Sequence, residues 1–205
     1  MRGRLRSRPG SDDGEHTQHA HGIVKSLPPL VGRTAERVLL SEQLAAIRAG
    51  HGNVVILGGE AGIGKTTLAR DLARQARAAG VLVLSAFCHD LMAAPPYGLW
   101  VDFAERYRQM TEADSLPPLP AALAYRALDR IGTQSALFAE VTGFLQEITA
   151  SQPLVLVLED VQWADPASLE LLRYLAARIA HLPLLVLVTY RVDELTRQNP
   201  FYQQL

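Results

Sequence analysis

A glycine-rich segment between an apolar run and a helix-forming run constrains this chain more than any other feature. The segment Gly59-Glu60-Ala61-Gly62-Ile63-Gly64-Lys65-Thr66 fits the pattern G-x-x-x-x-G-K-[ST] at each fixed position. Asn53–Leu57 before it is a predicted strand, and Lys65–Ala79 after it is a predicted helix that ends at Gly80. Glycines let backbone N–H groups of the loop and the helix N-terminus converge on one anion. A glycine turn without a ligand is the alternative, and the flanking strand and helix favour a phosphate-binding loop.

Short apolar runs alternate with helix-forming segments along the rest of the chain. Besides Asn53–Leu57, the predicted strands are Val81–Ala86, Leu154–Leu158 and Leu184–Thr189. Besides Lys65–Ala79, the predicted helices are a segment that Thr34 caps and Gly50 ends, then Leu99–Met110, Ala121–Ile131, Ser135–Thr149, and a helix with Asp165 as its cap and Pro166 at its first position. This alternation predicts an α/β fold with a parallel sheet covered on both faces and a helical insertion between the second and third strands.

The length of 205 residues and the mass of 22.4 kDa suit one globular domain, which we predict over residues 28–205. Residues 1–27 are rich in Arg and His and poor in apolar residues, which predicts a disordered tail. An organellar transit segment is the alternative for this tail. It is disfavoured because Asp12, Asp13 and Glu15 follow the arginines closely.

Charge, hydropathy and cysteine usage exclude several classes of function. The formal net charge is −1, so no broad cationic surface is implied and we expect no direct DNA contact. No apolar run reaches the roughly 18 residues of a membrane span, so we expect no membrane contact. Cys88 is the single cysteine, which excludes a disulfide framework and fits a reducing cytosol. We therefore expect a cytoplasmic protein in which Cys88 is a buried thiol rather than a reactive one.

A pair of carboxylates, Glu159 and Asp160, follows the apolar run Leu154–Leu158. Ligands of open parallel sheets sit at the carboxyl ends of the strands, so this pair is expected to face the phosphate loop. A solvated acidic turn is the alternative. Beside a phosphate loop the pair predicts a Mg²⁺ site, in which the Thr66 hydroxyl is a further ligand and Lys65 reaches the β and γ phosphates.

Four segments together resemble a known family. They are Val31-Gly32-Arg33 ahead of a helix, the loop Gly59–Thr67, Leu154–Pro166 (LVLVLEDVQWADP) and Leu187–Leu195 (LVTYRVDEL). They resemble the AAA-type ATP-binding domain of STAND signalling ATPases, a P-loop NTPase built as a three-layer sandwich. Similar domains occur in large ATP-binding LuxR-family transcriptional regulators and in ATPase modules attached to some bacterial adenylate cyclases.

The resemblance implies roles for individual residues. Val31 and Gly32 would lie beside the adenine, and the loop from Gly59 through Thr67 would hold the phosphates of ATP. Glu159 would hold Mg²⁺ together with Thr66, Asp160 would polarise the attacking water, and Arg191 would sense the γ-phosphate. For Arg191, an exposed arginine that closes a strand is the alternative.

The sequence departs from the family pattern in two respects. Many phosphate-loop ATPases carry Asp where Glu159 stands, which leaves open how Glu159 and Asp160 divide their roles. The family is built on a five-stranded sheet followed by a lid, whereas four strands are predicted here before Leu205. We therefore expect a domain that is incomplete at its C-terminus, without the lid and effector domains.

The leading hypothesis is an ATP-binding and slowly ATP-hydrolysing switch domain of a signalling or transcriptional regulator, with ATP and Mg²⁺ as cofactors. Its expected partners are ATP and ADP, with self-association or a protein partner in addition. One alternative is a nucleotide-binding interaction module without turnover. Others are a small-molecule or nucleotide kinase, disfavoured because no Arg-rich lid follows Val155, and a loader similar to replication initiators.

Overall fold

The computed structural model describes residues 33–90, 95–110, 116–123, 133–195 and 201. Its helices are α1 (Thr34–Arg48), α2 (Lys65–Ala78), α3 (Gly98–Arg108), α4 (Gln134–Ser151) and α5 (Pro166–Ala176). Its strands are β1 (Asn53–Gly59), β2 (Leu82–Phe87), β3 (Leu154–Glu159) and β4 (Leu184–Arg191). Single 3₁₀ turns occupy Ala121–Leu123, Val161–Trp163, Ile179–His181 and Val192–Glu194.

The four strands of the described sheet run parallel in the order β1-β4-β3-β2. The two central strands are apolar almost throughout because both of their faces are covered, and every residue of β3 is buried. The register places Gly59 of β1 opposite Arg191 of β4, and Phe87 of β2 opposite Glu159 of β3. The carboxyl ends of the strands therefore meet at one edge of the sheet. The predicted α/β fold with a parallel sheet is confirmed.

Alternate residues of the central strands serve two separate cores. In β4, Leu184, Val186 and Val188 pack into a core that includes residues of α3, α4 and α5. Leu185 and Leu187 point to the opposite face and pack with apolar residues of α1 and α2. Side chains of a strand alternate between faces, so this one apolar run joins three layers. Helices α3 and α4 form the predicted insertion between β2 and β3.

The helix ends show where local signals decide the boundaries. Gly50 and Gly80 follow α1 and α2 with φ of +87° and +73°, as predicted from their position. Asp165 caps α5 as predicted, since its side chain accepts a hydrogen bond from Ser168 N and Pro166 follows it.

The prediction that Thr34 caps α1 is wrong. Thr34 is the first helical residue, and Arg33 takes the cap position, where its carbonyl accepts the N–H of Arg37 at 3.1 Å. The helix begins one residue earlier than predicted, and the guanidinium of Arg33 makes two contacts near this end. It binds Glu36 at 3.0 Å and the carbonyl of Ile63 at 2.7 Å.

Some predicted features lie outside the described residues: the tail over residues 1–27, Val31, Gly32, and all of the helix Ala121–Ile131 beyond the 3₁₀ turn at its start. None of the helices in the described ranges is long and apolar enough to cross a membrane.

Candidate functional site

The loop between β1 and α2 takes its shape from two left-handed glycines. Gly62 has φ +75° and Gly64 has φ +99°, a region that other residues enter only with strain. Gly64 is also the cap residue of α2, and a glycine has no side chain with which to bind the first N–H groups of the helix. The first turn of α2 carries Lys65, Thr66 and Thr67 and no acid. This helix N-terminus is therefore suited to an anion.

Lys65 is held under the loop by backbone carbonyls. Its side chain is buried, and Nζ donates to the carbonyl of Gly59 at 2.7 Å and to that of Glu60 at 2.8 Å. Lys65 also lines a pocket of about 190 Å³. That pocket is lined by Gly62, Gly64, Lys65, Thr66, Thr67, Asp160 and Arg191. It brings together residues from the loop and from the ends of β3 and β4, two cations among them.

The end of β3 meets the start of α2 through a hydrogen bond from Thr66 Oγ1 to Glu159 Oε2 at 3.1 Å. Glu159 is 7% exposed, and burial raises its pKa, while the Thr66 hydroxyl and the charge of Arg70 oppose that rise. A hydroxyl and a carboxylate are oxygen ligands of the kind that Mg²⁺ accepts. Within the described ranges, no group of three or more His, Cys, Asp or Glu side chains could hold a metal ion. A Mg²⁺ ion that takes most ligands from phosphates and water does not need such a group.

Asp160 lies just beyond β3 in a left-handed conformation, with φ +56° and ψ +44°. Its N–H donates to Thr189 Oγ1 at 3.2 Å, which ties this residue to β4. Its carboxylate lines the pocket and lies 3.4 Å from Nε of Arg191. An Asp in this region costs about 1 kcal/mol of backbone strain, and such strain is found at functional sites.

Arg191 ends β4 and contacts several neighbours. Its Nη1 lies 2.8 Å from Glu194 Oε1, and its guanidinium carbon lies 5.2 Å from the centre of the Trp163 ring. Trp163 also packs against the larger of the two cores, so it serves both as a packing residue and as a support for Arg191.

Three residues of this site were not predicted from the sequence. Arg33 links α1 to the loop through Ile63, Thr189 holds Asp160, and Gln162 bonds to both Arg191 and Glu194. Arg33 belongs to the segment Val31-Gly32-Arg33 that carries part of the family resemblance, but its bond to Ile63 spans 30 positions. No spacing rule signals a contact of that kind.

Cys88 follows β2 and lies outside the pocket that contains Lys65. Burial raises the pKa of its thiol to about 12, and the charges of Asp165, Asp102 and Asp160 add to the rise. The thiol is buried and protonated, in agreement with its interpretation as a packing residue.

Residues 29–187 match the family model described as the AAA ATPase domain. The chain belongs to this family. An uncharacterized protein of Rhizobium meliloti (strain 1021) is 27% identical over 197 residues, which cover 80% of this chain and 18% of that protein. This AAA ATPase domain thus spans less than one fifth of the curated relative that it matches.

Two solved structures illustrate what this chain is similar to. The Aeropyrum pernix ORC2 protein, determined in ADPNP-ADP complexes, is similar with a TM-score of 0.51 and 18% identity, over 83% of this chain and 44% of that one. AMPPCP-bound DnaA from Aquifex aeolicus has a TM-score of 0.43 and 14% identity, over 87% of this chain and 46% of that one. At 18% identity, the likeness to the ORC2 protein concerns the fold alone.

Proposed function

We propose that this AAA ATPase domain binds Mg·ATP and hydrolyses it slowly, as the switch domain of a signalling or transcriptional regulator. One observation carries the proposal. Lys65, Thr66, Asp160 and Arg191 line a single pocket, although they come from the starts and ends of three different elements. This set combines phosphate-binding cations with a carboxylate, which is what phosphoryl transfer to water requires.

The phosphates of ATP fit the loop and the first turn of α2. The first N–H groups of a helix have no acceptor within the helix and can bind an anion, and Lys65 supplies a full positive charge beside them. Lys65 is pre-positioned, because two carbonyls hold its ammonium group before any ligand arrives. Val31 and Gly32 are proposed to contact the adenine, as the family resemblance implies.

The residues present fit a Mg²⁺ ion. Thr66 and Glu159 would hold it, and the bound ion would neutralise charge on the phosphates. Thr66 Oγ1 and Glu159 Oε2 are already 3.1 Å apart, so little rearrangement of the protein is needed to bring both to one cation. We assign the orientation of the attacking water to Asp160, which is the more accessible carboxylate of the pair and lines the pocket. Arg191 is proposed to contact the γ-phosphate.

The role as part of a regulator is supported by two considerations. The Rhizobium meliloti relative is several times longer than the segment that matches, so this type of domain occurs within larger proteins. The segments LVLVLEDVQWADP and LVTYRVDEL resemble those of STAND ATPases, whose nucleotide state controls shape or assembly. Self-association or a protein partner is part of this proposal.

Calorimetric titration with Mg·ATP tests the binding. Lys65→Ala should abolish binding, because it removes the ammonium group that would contact the phosphates. The circular dichroism spectrum should stay unchanged. Lys25→Ala is the matched control, since Lys25 is the only other lysine of the sequence, and it should bind as the wild type does. Unchanged affinity in Lys65→Ala would refute the proposed site.

Phosphate release under the same conditions separates hydrolysis from binding without turnover. Asp160→Asn should bind Mg·ATP and lose the slow release of phosphate, since an amide is a poor acceptor for a proton of the attacking water. Asp90→Asn, at an exposed acid after β2, should keep the wild-type rate. No release above background in the wild type would instead favour an interaction module.

A further inference from the structure

The 3₁₀ turn Val192–Glu194 directly follows β4, and its last residue presents a carboxylate to Arg191. Glu194 Oε1 lies 2.8 Å from Arg191 Nη1, and Asp160 Oδ1 lies 3.4 Å from Arg191 Nε. Two carboxylates therefore approach a guanidinium group that also lines the pocket with Lys65 and Thr66. Of the two, Glu194 makes the shorter contact and is not itself a lining residue of the pocket.

A buried amide fixes Glu194 in this position. Gln162 is 2% exposed, and its Nε2 donates to Glu194 Oε2 at 3.0 Å while its Oε1 accepts the N–H of Arg191 at 3.1 Å. The same Nε2 lies 3.5 Å from Asp160 Oδ1. One oxygen of Glu194 is thus held by Gln162 and the other by Arg191. Because both carboxylate oxygens of Glu194 are bound, its side chain is held in one orientation toward Arg191.

This arrangement sets up a competition for Arg191. A guanidinium group has a limited set of N–H donors in a fixed fork, and a donor bound to Glu194 must turn away from it to bind a phosphate in full. A ligand that reaches Arg191 has to displace or share this contact. A ligand that ends before Arg191 leaves the contact unchanged.

We propose that Glu194 competes with the terminal phosphate of ATP for Arg191 and so limits the preference of this site for ATP over ADP. The inference rests on the proposed function and adds a specificity-determining residue to it. Without Glu194, ATP gains affinity and ADP does not. The contact thereby keeps the two nucleotides closer in affinity than Lys65 and Arg191 alone would make them, which suits a switch that has to exchange one for the other.

The test compares the affinities of ADP and of a non-hydrolysable ATP analogue, each with Mg²⁺, in the full chain. Glu194→Gln should tighten binding of the ATP analogue about two- to fivefold, the range expected for the loss of a partly exposed ion pair. The affinity for ADP should not change. In an Arg191→Gln background, Glu194→Gln should not change the affinity for the ATP analogue, because the guanidinium group that Glu194 binds has been removed.

Asp193→Asn is the matched control. It removes the same charge from the same 3₁₀ turn and leaves the contact between Glu194 and Arg191 in place. An equal effect of Asp193→Asn, an equal change for ADP and the ATP analogue, or an effect of Glu194→Gln that persists without Arg191 would each overturn the inference. Absence of any Lys65-dependent binding in the wild type would overturn the proposed function, and this inference with it. Thermal melting of each variant checks that the fold is intact.

Discussion

Cys88 shows how the position of a residue at the end of a strand sets its chemistry. The thiol lies just beyond β2, buried against the larger core, and its pKa is raised to about 12 from an ordinary value of 9.0. Burial is the main cause, because a thiolate would lose its hydration there, and nearby Asp165, Asp102 and Asp160 disfavour a second negative charge. The thiolate is the reactive form, so this environment makes the thiol inert near neutral pH.

We expect Cys88 in the folded protein to resist iodoacetamide at pH 8 and to react readily once urea has unfolded the chain. Mass spectrometry gives a direct readout, since the sequence has a single cysteine. Labelling of the folded protein at the rate of the unfolded one would contradict the burial. The raised pKa of Cys88 also makes stability depend on pH. The unfolded chain loses this proton above about pH 9 while the folded chain keeps it, so the contribution of Cys88 to stability falls as the pH rises from 9 towards 12.

At the scale of secondary-structure elements, one carboxylate joins the N-termini of two helices. Asp165 Oδ1 accepts Ser168 N of α5 and Tyr97 N at 2.9 Å each, and Oδ2 accepts Gly98 N, the first residue of α3, at 3.0 Å. The side chain is 6% exposed, and negative charge is favourable at both helix starts. The cap of α5 is therefore also the tie between the helical insertion and the segment that follows β3.

Asp165→Ala should lower the free energy of unfolding by about 2–4 kcal/mol, more than the loss of an ordinary helix cap, because buried or half-buried donors at the starts of two helices lose their acceptor. Urea unfolding followed by circular dichroism measures this change. Asp165→Asn keeps one acceptor oxygen and should lose roughly half as much. A cost of only a few tenths of a kcal/mol for the alanine variant would show that the helices are held together by packing alone.

The elements that were predictable from the sequence are those with local signals. Continuous apolar runs predicted β3 and β4, and the glycine pattern predicted the loop between β1 and α2. Asp165 with Pro166 predicted the start of α5. The parallel arrangement lets the acids at the end of β3 lie beside the loop, since the carboxyl ends of parallel strands share an edge. Thr34 was predicted as the cap from its residue type alone, whereas α1 begins one residue earlier and Arg33 at the cap position contacts Ile63, 30 positions away.

Contacts between residues far apart in sequence could not be predicted in the same way. Gln162 and Glu194 are separated by 32 positions, and Tyr97 and Asp165 by 68. Each pair depends on how the sheet brings loop ends together, and no pattern of spacing encodes it. The support that Gln162 gives to Glu194 was therefore visible only in three dimensions.

At the scale of the whole molecule, residues from separate parts of the chain line one pocket. Lys65 and Thr66 belong to the start of α2, Asp160 follows β3, and Arg191 ends β4. A ligand that contacts all of them ties the loop to the two central strands. It stabilises the folded state by RT ln(1 + [L]/Kd), because the unfolded chain has no such pocket.

Mg·ATP at about 100 times its Kd should therefore add about 2.7 kcal/mol to stability, which for a domain of this size is a rise in Tm of roughly 5–10 °C. Differential scanning fluorimetry measures the shift as a function of nucleotide concentration. Lys65→Ala should show none at the same concentration, whereas Lys25→Ala should keep it in full. Because the shift depends on ligand binding to the folded state alone, a rise of equal size in Lys65→Ala would mean that the nucleotide stabilises the chain elsewhere than at the loop.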